Sequence, residues 1–342
     1  MKDHVVSFDR LRNIILVDGM WQFPAATEHY AYKDVNNKGG MKDGQIYIAF
    51  PFATLIDTLD RNSDKKKILL DSLSIIKKIV QEIRLESKLT IVTCCQHIKL
   101  EQYIWLFKYV DIDVIFWSHK RKSSDYINDI RVFPFPLFPA QTYSQCQSLY
   151  FGSNNAGNSE TERKYLVNFI GAYNPKIYLS DVRELIYQDE KTPGFNIVKR
   201  EQWHFNRSVY NEQVSSIEPT IEELEMEARN RNEYINAIKD SWFTFCPSGS
   251  GPNSIRIWES LCLGSIPVIF VNDFELPLHD KINMAAILID DSKEGYQNAK
   301  KLIVEMAIED RVKMIENGFQ LISKNLGPSN YCKIIHEAMN LG

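Results

Sequence analysis

The sequence predicts an α/β protein of two Rossmann-like halves, on three observations. Short β-branched and aromatic runs alternate with helical stretches along all 342 residues, as parallel strands joined by crossover helices require. At roughly 150 residues per domain, that length suits two units. A polar stretch, FGSNNAGNSETERK (151–164), interrupts the alternation midway with almost nothing apolar to bury, so it reads as a linker. The expected organisation is an N-terminal domain over 1–150, a linker over 151–163 and a C-terminal domain over 164–328. A last helix over 329–341 is expected to cross back onto the first half.

In the first half the strands are expected at NIILVDG (13–19), QIYIAFP (45–51), LTIVTCC (89–95), DVIFWSH (113–119) and IRVFPFP (130–136). Leu69, Leu73, Ile76, Val80 and Ile83 recur at a 4-3-4-3 spacing, which lays one apolar stripe along a helix. In the second half the strands are KYLVNFIGA (164–172), FNIVKRE (195–201), SWFTFCP (241–247), SIPVIFV (265–271) and AAILIDD (285–291). Helices are expected from about Ser180 to Tyr187, over 220–239 and from Asn253. The acidic helix over 220–239 reads as a solvated face.

Composition limits what such a chain does. Hydrophobic residues at 44% and charged residues at 25% are ordinary globular values, which excludes disordered, collagen-like and disulfide-scaffold classes. A net charge of −4 supplies no global basic field to hold DNA or RNA. Cys94, Cys95, Cys146, Cys246, Cys262 and Cys332 form no CxxC pair and have no histidine at metal-ligand spacing, so they read as buried thiols. MKDHVVSFDRLRN is too charged for a signal peptide, and no window reaches about 18 apolar residues. These features predict a cytoplasmic protein without a membrane span. The basic runs Lys65-Lys66-Lys67 and His119-Lys120-Arg121-Lys122 suit peripheral contact with the inner membrane or a lipid diphosphate acceptor; the alternative is a solvated surface.

The most informative segment is FTFCPSGSGPNSIRIWESLCLGSIPVIFVNDFELP (243–277). A buried strand ends at Cys246-Pro247, a loop of Ser248, Gly249, Ser250, Gly251 and Pro252 follows, and Asn253 or Ser254 can cap the next helix. Small residues let backbone amides approach an anion, and a helix N-terminus adds roughly half a positive charge. The loop lacks the lysine of a Walker P-loop and the GxGxxG spacing of a dinucleotide fold. Arg256 and Glu259 lie three apart on one helical face. The arginine can fork onto a diphosphate while the carboxylate accepts from ribose hydroxyls; the alternative is an intrahelical ion pair.

This segment resembles the exostosin family of glycosyltransferases. That family's sugar-nucleotide motif runs Cys-Pro-x-Gly, Ser-x-Arg-x-x-Glu, Gly-x-Ile-Pro-Val and Leu-Pro, and the submotifs stand here in order. They are Cys246-Pro247-Ser248-Gly249, Ser254-Ile255-Arg256-Ile257-Trp258-Glu259, Gly264-Ser265-Ile266-Pro267-Val268 and Leu276-Pro277. A second match is VNFIGAYNPKIYLSDVRELI (167–186), which is similar to the family's Phe-x-Gly strand end and following helix through Phe169, Gly171 and Arg183. Ser248 stands where animal and plant members usually carry a basic residue. The diphosphate is then held by a loop side chain, or by backbone amides with Arg256 and Arg183. The resemblance spans roughly 163–278, and segments such as YIAFPFATLIDTL, TCCQHI and FWSH extend it into the first half.

The resemblance implies a GT-B architecture, two Rossmann-like domains facing each other across a cleft, with the donor held mainly by the C-terminal half. It also implies inversion at the anomeric carbon and no metal or other cofactor. No Asp-x-Asp element ends any predicted strand, which suits a metal-free site. Inverting transfer needs one base and positive charge at the leaving diphosphate. Arg256, Arg183 and Arg207 are candidates for the charge, and Gly171, Pro247, Ser248, Gly249, Asn253, Ser254 and Glu259 complete the expected donor site. For the base, His97 and His119 end predicted strands, and Glu28 sits in a long loop with Trp21, Phe23 and Tyr30, aromatics suited to stack on a sugar. Asp18 is a further candidate, although Asp before Gly19 also makes an ordinary turn.

The expected activity is therefore inverting transfer from a nucleoside diphosphate sugar, a UDP-sugar, to an oligosaccharide or lipid-linked acceptor in a bacterial O-antigen or capsule. Two rivals remain open. One is a fucosyltransferase-like enzyme using a GDP-sugar, whose usual Thr-Glu-Lys signature is missing here; the other is a catalytically silent glycan-binding partner.

Overall fold

The computed structural model describes residues 6–59, 61, 63–145, 163–202, 207–214 and 217–340. Cys146 and residues 151–162 of the expected linker lie outside them. The chain divides into two units: Met1–Leu137 with Ser208–Ile217 and Pro328–Gly342, and Phe138–Arg207 with Glu218–Gly327.

The first unit contains the strands β1 (Val6–Asp9), β2 (Ile14–Val17), β3 (Gln45–Ala49), β4 (Thr90–Cys95), β5 (Val114–Trp117), β6 (Tyr126–Ile127) and β7 (Ile130–Pro134). They form one sheet in the order β1-β2-β3-β4-β5-β7-β6. From β2 through β7 the neighbours run parallel, with Ile14 opposite Tyr47, Tyr47 opposite Val92 and Val92 opposite Val114. Both faces are covered, which is why these strands read as near-continuous apolar runs. Its helices are α1 (Thr27–Asn37), α2 (Phe52–Leu59), α3 (Asp64–Glu86) and α4 (Ile104–Tyr109), with α11 (Tyr331–Asn340) from the end of the chain. Leu69, Leu73, Ile76, Val80 and Ile83 of α3 pack with Ile46, Ile48, Ile91 and Ile115 on one face. Ala31 and Val35 of α1, with Tyr331 and Ile335 of α11, pack with Tyr47, Val92 and Phe116 on the other.

Two elements here differ from the sequence expectation. The edge strands β1 and β6 pair antiparallel and are too short and polar to show a pattern. Thr27–Asn37, expected as loop, is helical; its buried stripe rests on little more than Ala31 and Val35, with polar residues between.

The second unit holds β8 (Tyr165–Ala172), β9 (Phe195–Arg200), β10 (Ser241–Cys246), β11 (Ile266–Phe270) and β12 (Ile287–Ile289). They form a five-stranded sheet ordered β12-β11-β10-β8-β9, parallel throughout. The chain steps from β8 outward to β9, then returns to β10 on the other side of β8. Strand order therefore reverses between β8 and β10, the place where parallel sheets present ligands at their carboxyl ends.

The helices of this unit are α5 (Val182–Gln188), α6 (Ile221–Lys239), α7 (Ile255–Leu263), α8 (His279–Ile282), α9 (Lys293–Glu305) and α10 (Ile308–Leu321). Helix α6 opens with a capping box between Thr220 and Glu223. It is not merely a solvated face, because its last turns bury Tyr234, Ile235, Ala237 and Ile238. Helix α7 stops at Gly264, whose φ is 74° and whose missing Cβ would lie 2.7 Å from the Phe319 ring. A side chain there meets both backbone strain and a collision. Among the described residues, no helix is long and apolar enough to cross a membrane.

Candidate active site

In the second unit, side chains from α5 and α7 converge on the ends of β8 and β10. Arg183 of α5 donates from Nη1 to the carbonyl of Ala172 (2.7 Å), from Nε to that of Ser248 (2.9 Å) and from Nη2 to that of Pro247 (3.3 Å). One guanidinium thus joins the end of β8 to the loop after β10. Arg256, in the first turn of α7, donates from Nη2 to the carbonyl of Ile170 at 2.7 Å. A Cβ on Gly171 would collide with that guanidinium and press on Phe169, so this close approach requires glycine. Both arginines lie over the Phe169 ring, at 5.5 and 4.9 Å from its centroid, and Arg183 also stacks on Tyr178 at 4.3 Å.

The two charges are 2% and 6% exposed. Among the described residues, neither has a carboxylate within ion-pair distance. Burial, and then the charge of Arg256, push Arg183 down to about 9. Arg256 Nε is buried without a hydrogen-bond partner. Two adjoining buried cations thus stand where the strand order of the sheet reverses.

Pro247, Ser248 and Gly249 form the loop that Arg183 holds, with Gly249 N–H donating to the carbonyl of Gly251 at 3.0 Å. The expected side-chain cap of α7 does not form. Ser254 sits at the cap position without such a bond, and Asn253 Oδ1 accepts from Trp258 Nε1 at 2.9 Å instead. Glu259 is fully buried; Oε1 accepts from Gln141 N–H (3.0 Å) and Oε2 from Tyr234 O–H (2.6 Å). Burial pushes its carboxyl up to about 7 against those hydrogen bonds. With these partners Arg256 and Glu259 do not form the intrahelical ion pair. Arg207 does not join Arg183 and Arg256; its guanidinium grips both oxygens of Glu227 on α6.

In the first unit, the structure brings Glu28, His97 and His119 into one network. Glu28 stands in the first turn of α1, not in a loop, and is 3% exposed. Its carboxylate accepts from Ala53 N–H (3.1 and 3.2 Å) and Gln96 N–H (3.2 Å), while burial pushes it up to about 8. His97 Nδ1 accepts from Lys99 N–H at 3.1 Å. That leaves the ring proton on Nε2, which faces Asp57 Oδ1 at 3.2 Å. Gln22 Nε2 donates to Asp57 Oδ2 at 2.5 Å, and Gln96 Nε2 donates to Gln22 Oε1 at 2.8 Å. His119 is buried, and that burial, with His97 nearby, pushes it down to about 3. Trp21 belongs to the core, stacked on Tyr32 with centroids 6.1 Å apart, whereas Phe23 is exposed. Asp18 is exposed after β2.

An Exostosin GT47 domain model matches residues 109–303, more than half of the chain. The chain belongs to the exostosin GT47 family. Two Rossmann-like units in one chain are also what the GT-B class contains. The sequence is 30% identical over 74 residues to a probable glucuronoxylan glucuronosyltransferase of Arabidopsis thaliana, covering 22% of this chain and 16% of that protein. It is 23% identical over 94 residues to a probable glycosyltransferase of the same plant, covering 28% and 20%. The matches thus span a fifth or less of these relatives' length. Among solved structures, sucrose-phosphate synthase from Thermosynechococcus elongatus aligns with a TM-score of 0.44 at 9% identity, covering 91% of this chain and 76% of that one.

The exostosin match takes in Gly171, Arg183, the 247–259 segment and His119, while Glu28, His97 and Asp57 precede it. Asp57 was not singled out from sequence; its signal was a lone acid in the apolar run FATLIDTL. The His119 run is not uniformly solvated, since Lys120 is buried and paired with Asp125 at 2.9 Å.

Burial of His119 has a measurable consequence for stability. An unfolded histidine titrates near 6.5 and the buried ring near 3. As pH falls below 6.5 the unfolded chain takes up a proton that the folded chain refuses, so stability is lost towards pH 3. Denaturant midpoints at pH 7 and pH 5 should show His119→Gln losing less stability than wild type, by on the order of 2 kcal/mol. Equal losses would contradict this placement.

Proposed function

We propose that this exostosin GT47 chain is an inverting, metal-independent glycosyltransferase that moves one sugar from a UDP-sugar to a growing bacterial surface glycan such as an O-antigen or capsule. The observation that supports it most is the buried pair Arg183 and Arg256 at the ends of β8 and β10, two cations that form no salt bridge among the described residues. A diphosphate would meet both cations with opposite charge. The Pro247–Gly249 loop, Asn253, Ser254 and the first turn of α7 are assigned to the same nucleotide through backbone N–H groups and the helix dipole. Glu259 is assigned to the ribose, because each of its oxygens keeps a second lone pair beyond the bonds from Gln141 and Tyr234.

In this reading the second unit takes the donor and the first takes an oligosaccharide or lipid-linked acceptor. The reaction is a single in-line displacement. The acceptor oxygen forms a bond to the anomeric carbon, the bond from that carbon to the diphosphate breaks, and the electron pair leaves with the diphosphate. Arg183 and Arg256 stabilise that charge. The acceptor proton passes to one general base, for which Glu28, His97 and His119 are the candidates. The plant relative's name, a glucuronosyltransferase acting on glucuronoxylan, is in keeping with a polysaccharide acceptor. Lys65, Lys66 and Lys67, with Arg121 and Lys122, are assigned to contact with an anionic inner-membrane surface from the cytoplasm.

The test is UDP release from UDP-sugars by the purified protein in excess EDTA. Turnover is expected to persist, since arginines and backbone dipoles carry the counter-charge. Complete loss in chelator with rescue by magnesium or manganese would overturn that assignment.

A further inference from the structure

We infer that the outer face of α1 and the loop before it form a saccharide-binding platform in the first unit, built from Phe23, His29, Tyr30 and Tyr32 over Trp21. The inference deepens the transferase reading above by naming a surface that takes a neutral glycan, and it draws on the first unit alone.

Helix α1 follows the segment that leaves β2 at its carboxyl end, where parallel sheets present ligands. Its buried stripe is Thr27, Glu28, Ala31, Asp34 and Val35. The 3.6-residue period then puts His29 and Lys33 opposite that stripe, with Tyr30 and Tyr32 at its two flanks. A helix packed on a sheet ordinarily carries charged and polar residues there, whereas this one carries rings. His29, Tyr30 and Tyr32 are half-buried, and Phe23 in the preceding loop is 44% exposed.

The rings form one layer with His29 at its hub. The His29 centroid lies 5.3 Å from that of Trp21, 5.5 Å from Phe23, 5.8 Å from Tyr30 and 6.5 Å from Tyr32. Trp21 backs the layer from the core and stacks on Tyr32. Rings held by one another have little side-chain freedom left to lose when a ligand arrives.

Charge selects the ligand class. Burial pushes His29 down to about 4, so its ring is neutral at pH 7. Lys33 Nζ lies over the Tyr30 ring, 5.5 Å from its centroid. Lys33 and Asp18 act on His29 with opposite signs, so one cation and one anion leave no net field for a phosphate or an anionic headgroup. What the layer offers is apolar ring surface bordered by two phenol hydroxyls, an imidazole and this balanced pair. Trp21 Nε1 and His29 Nδ1 are buried without a hydrogen-bond partner, so the layer also keeps hydrogen-bonding capacity that its own residues do not use. A pyranose has the matching chemistry, with C–H groups on its faces and hydroxyls around its rim.

The test is calorimetric titration of the full chain with xylohexaose, cellohexaose and chitohexaose, alongside UDP, with unfolding midpoints recorded. At least one hexasaccharide is expected to bind wild type. Phe23→Ala, at an exposed position, should weaken that binding roughly 2- to 10-fold with the midpoint and UDP affinity close to wild type. Phe23→Tyr, which restores a ring, should return the affinity, and Phe23→Ala with Tyr30→Ala should lower it further while UDP affinity reports that the chain is folded. Wild type that binds none of the three, or equal hexasaccharide affinity in wild type and the double variant, overturns the platform; UDP binding in the same protein leaves the transferase reading in place. Hexasaccharide binding by a protein that neither binds UDP or GDP nor releases either from a sugar conjugate keeps the platform and overturns the transferase reading. Capture by phosphatidylglycerol vesicles that the double variant loses, without hexasaccharide binding, assigns the surface to lipid and overturns the glycan assignment.

Discussion

Arg183→Met is expected to lower the unfolding free energy by about 3 kcal/mol or more. The variant keeps most of the side-chain volume and removes the donors to three buried carbonyls, those of Ala172, Pro247 and Ser248. Each orphaned acceptor costs roughly 1 to 3 kcal/mol. Relief of its repulsion with Arg256 offsets part of that loss. The loop after β10 loses its tie to β8, so UDP affinity should fall along with stability. Arg183→Lys should recover only part of both, because an ammonium cannot reach three diverging carbonyls from one fixed plane. Chemical denaturation of the three proteins checks this. An Arg183→Met variant within 1 kcal/mol of wild type would mean that the loop is held by other contacts.

Arg256→Ala and Glu259→Gln are expected to weaken UDP binding without unfolding the protein. Glu259→Gln exchanges a charged acceptor for a neutral one and should cost roughly 1.5 to 3 kcal/mol of binding. Arg256→Ala should cost more, since it removes a cation placed for the leaving group. The pH dependence of wild type carries a second signature. Burial holds the Glu259 carboxyl near 7, so its ionised, stronger-accepting form gains population between pH 6 and pH 8. The ionisation of the UDP terminal phosphate is common to both proteins, so UDP affinity should rise more steeply across that interval in wild type than in Glu259→Gln. Folding stability runs the other way. The folded state keeps a proton that the unfolded carboxyl has lost above 4.5, so this residue's contribution declines as pH rises from 4.5 to about 7.

The parallel strands of both units were legible because burial on two faces leaves an unbroken apolar run, as in Ile14–Val17 and Ile266–Phe270. The edge strands were not, since Tyr126–Ile127 is two residues long. Helix α1 was hidden because its buried positions include Thr27, Glu28 and Asp34, residues a hydrophobic pattern does not count. The submotifs carrying Gly171, Arg183, Arg256 and Gly264 were legible in the sequence, and the structure adds reasons for the small residues: Gly171 clears the Arg256 guanidinium and Gly264 clears Phe319. Non-local partners were not legible. Nothing near Glu259 in the sequence announces Gln141 or Tyr234, and nothing near Arg207 announces Glu227. The Asp57 and His97 contact joins residues 40 positions apart, a pairing created by adjacent parallel strands and their following segments.

The central claim is that Arg183, Arg256 and the loop after β10 form a nucleoside diphosphate site. Calorimetric titration of UDP into wild type, Arg256→Ala and Glu259→Gln at pH 8 in EDTA tests it most directly, with unfolding midpoints recorded for each protein. The account predicts saturable binding to wild type, affinity reduced roughly 10- to 150-fold in Glu259→Gln and further in Arg256→Ala, with midpoints close to wild type. Equal UDP affinity in all three folded proteins would contradict it.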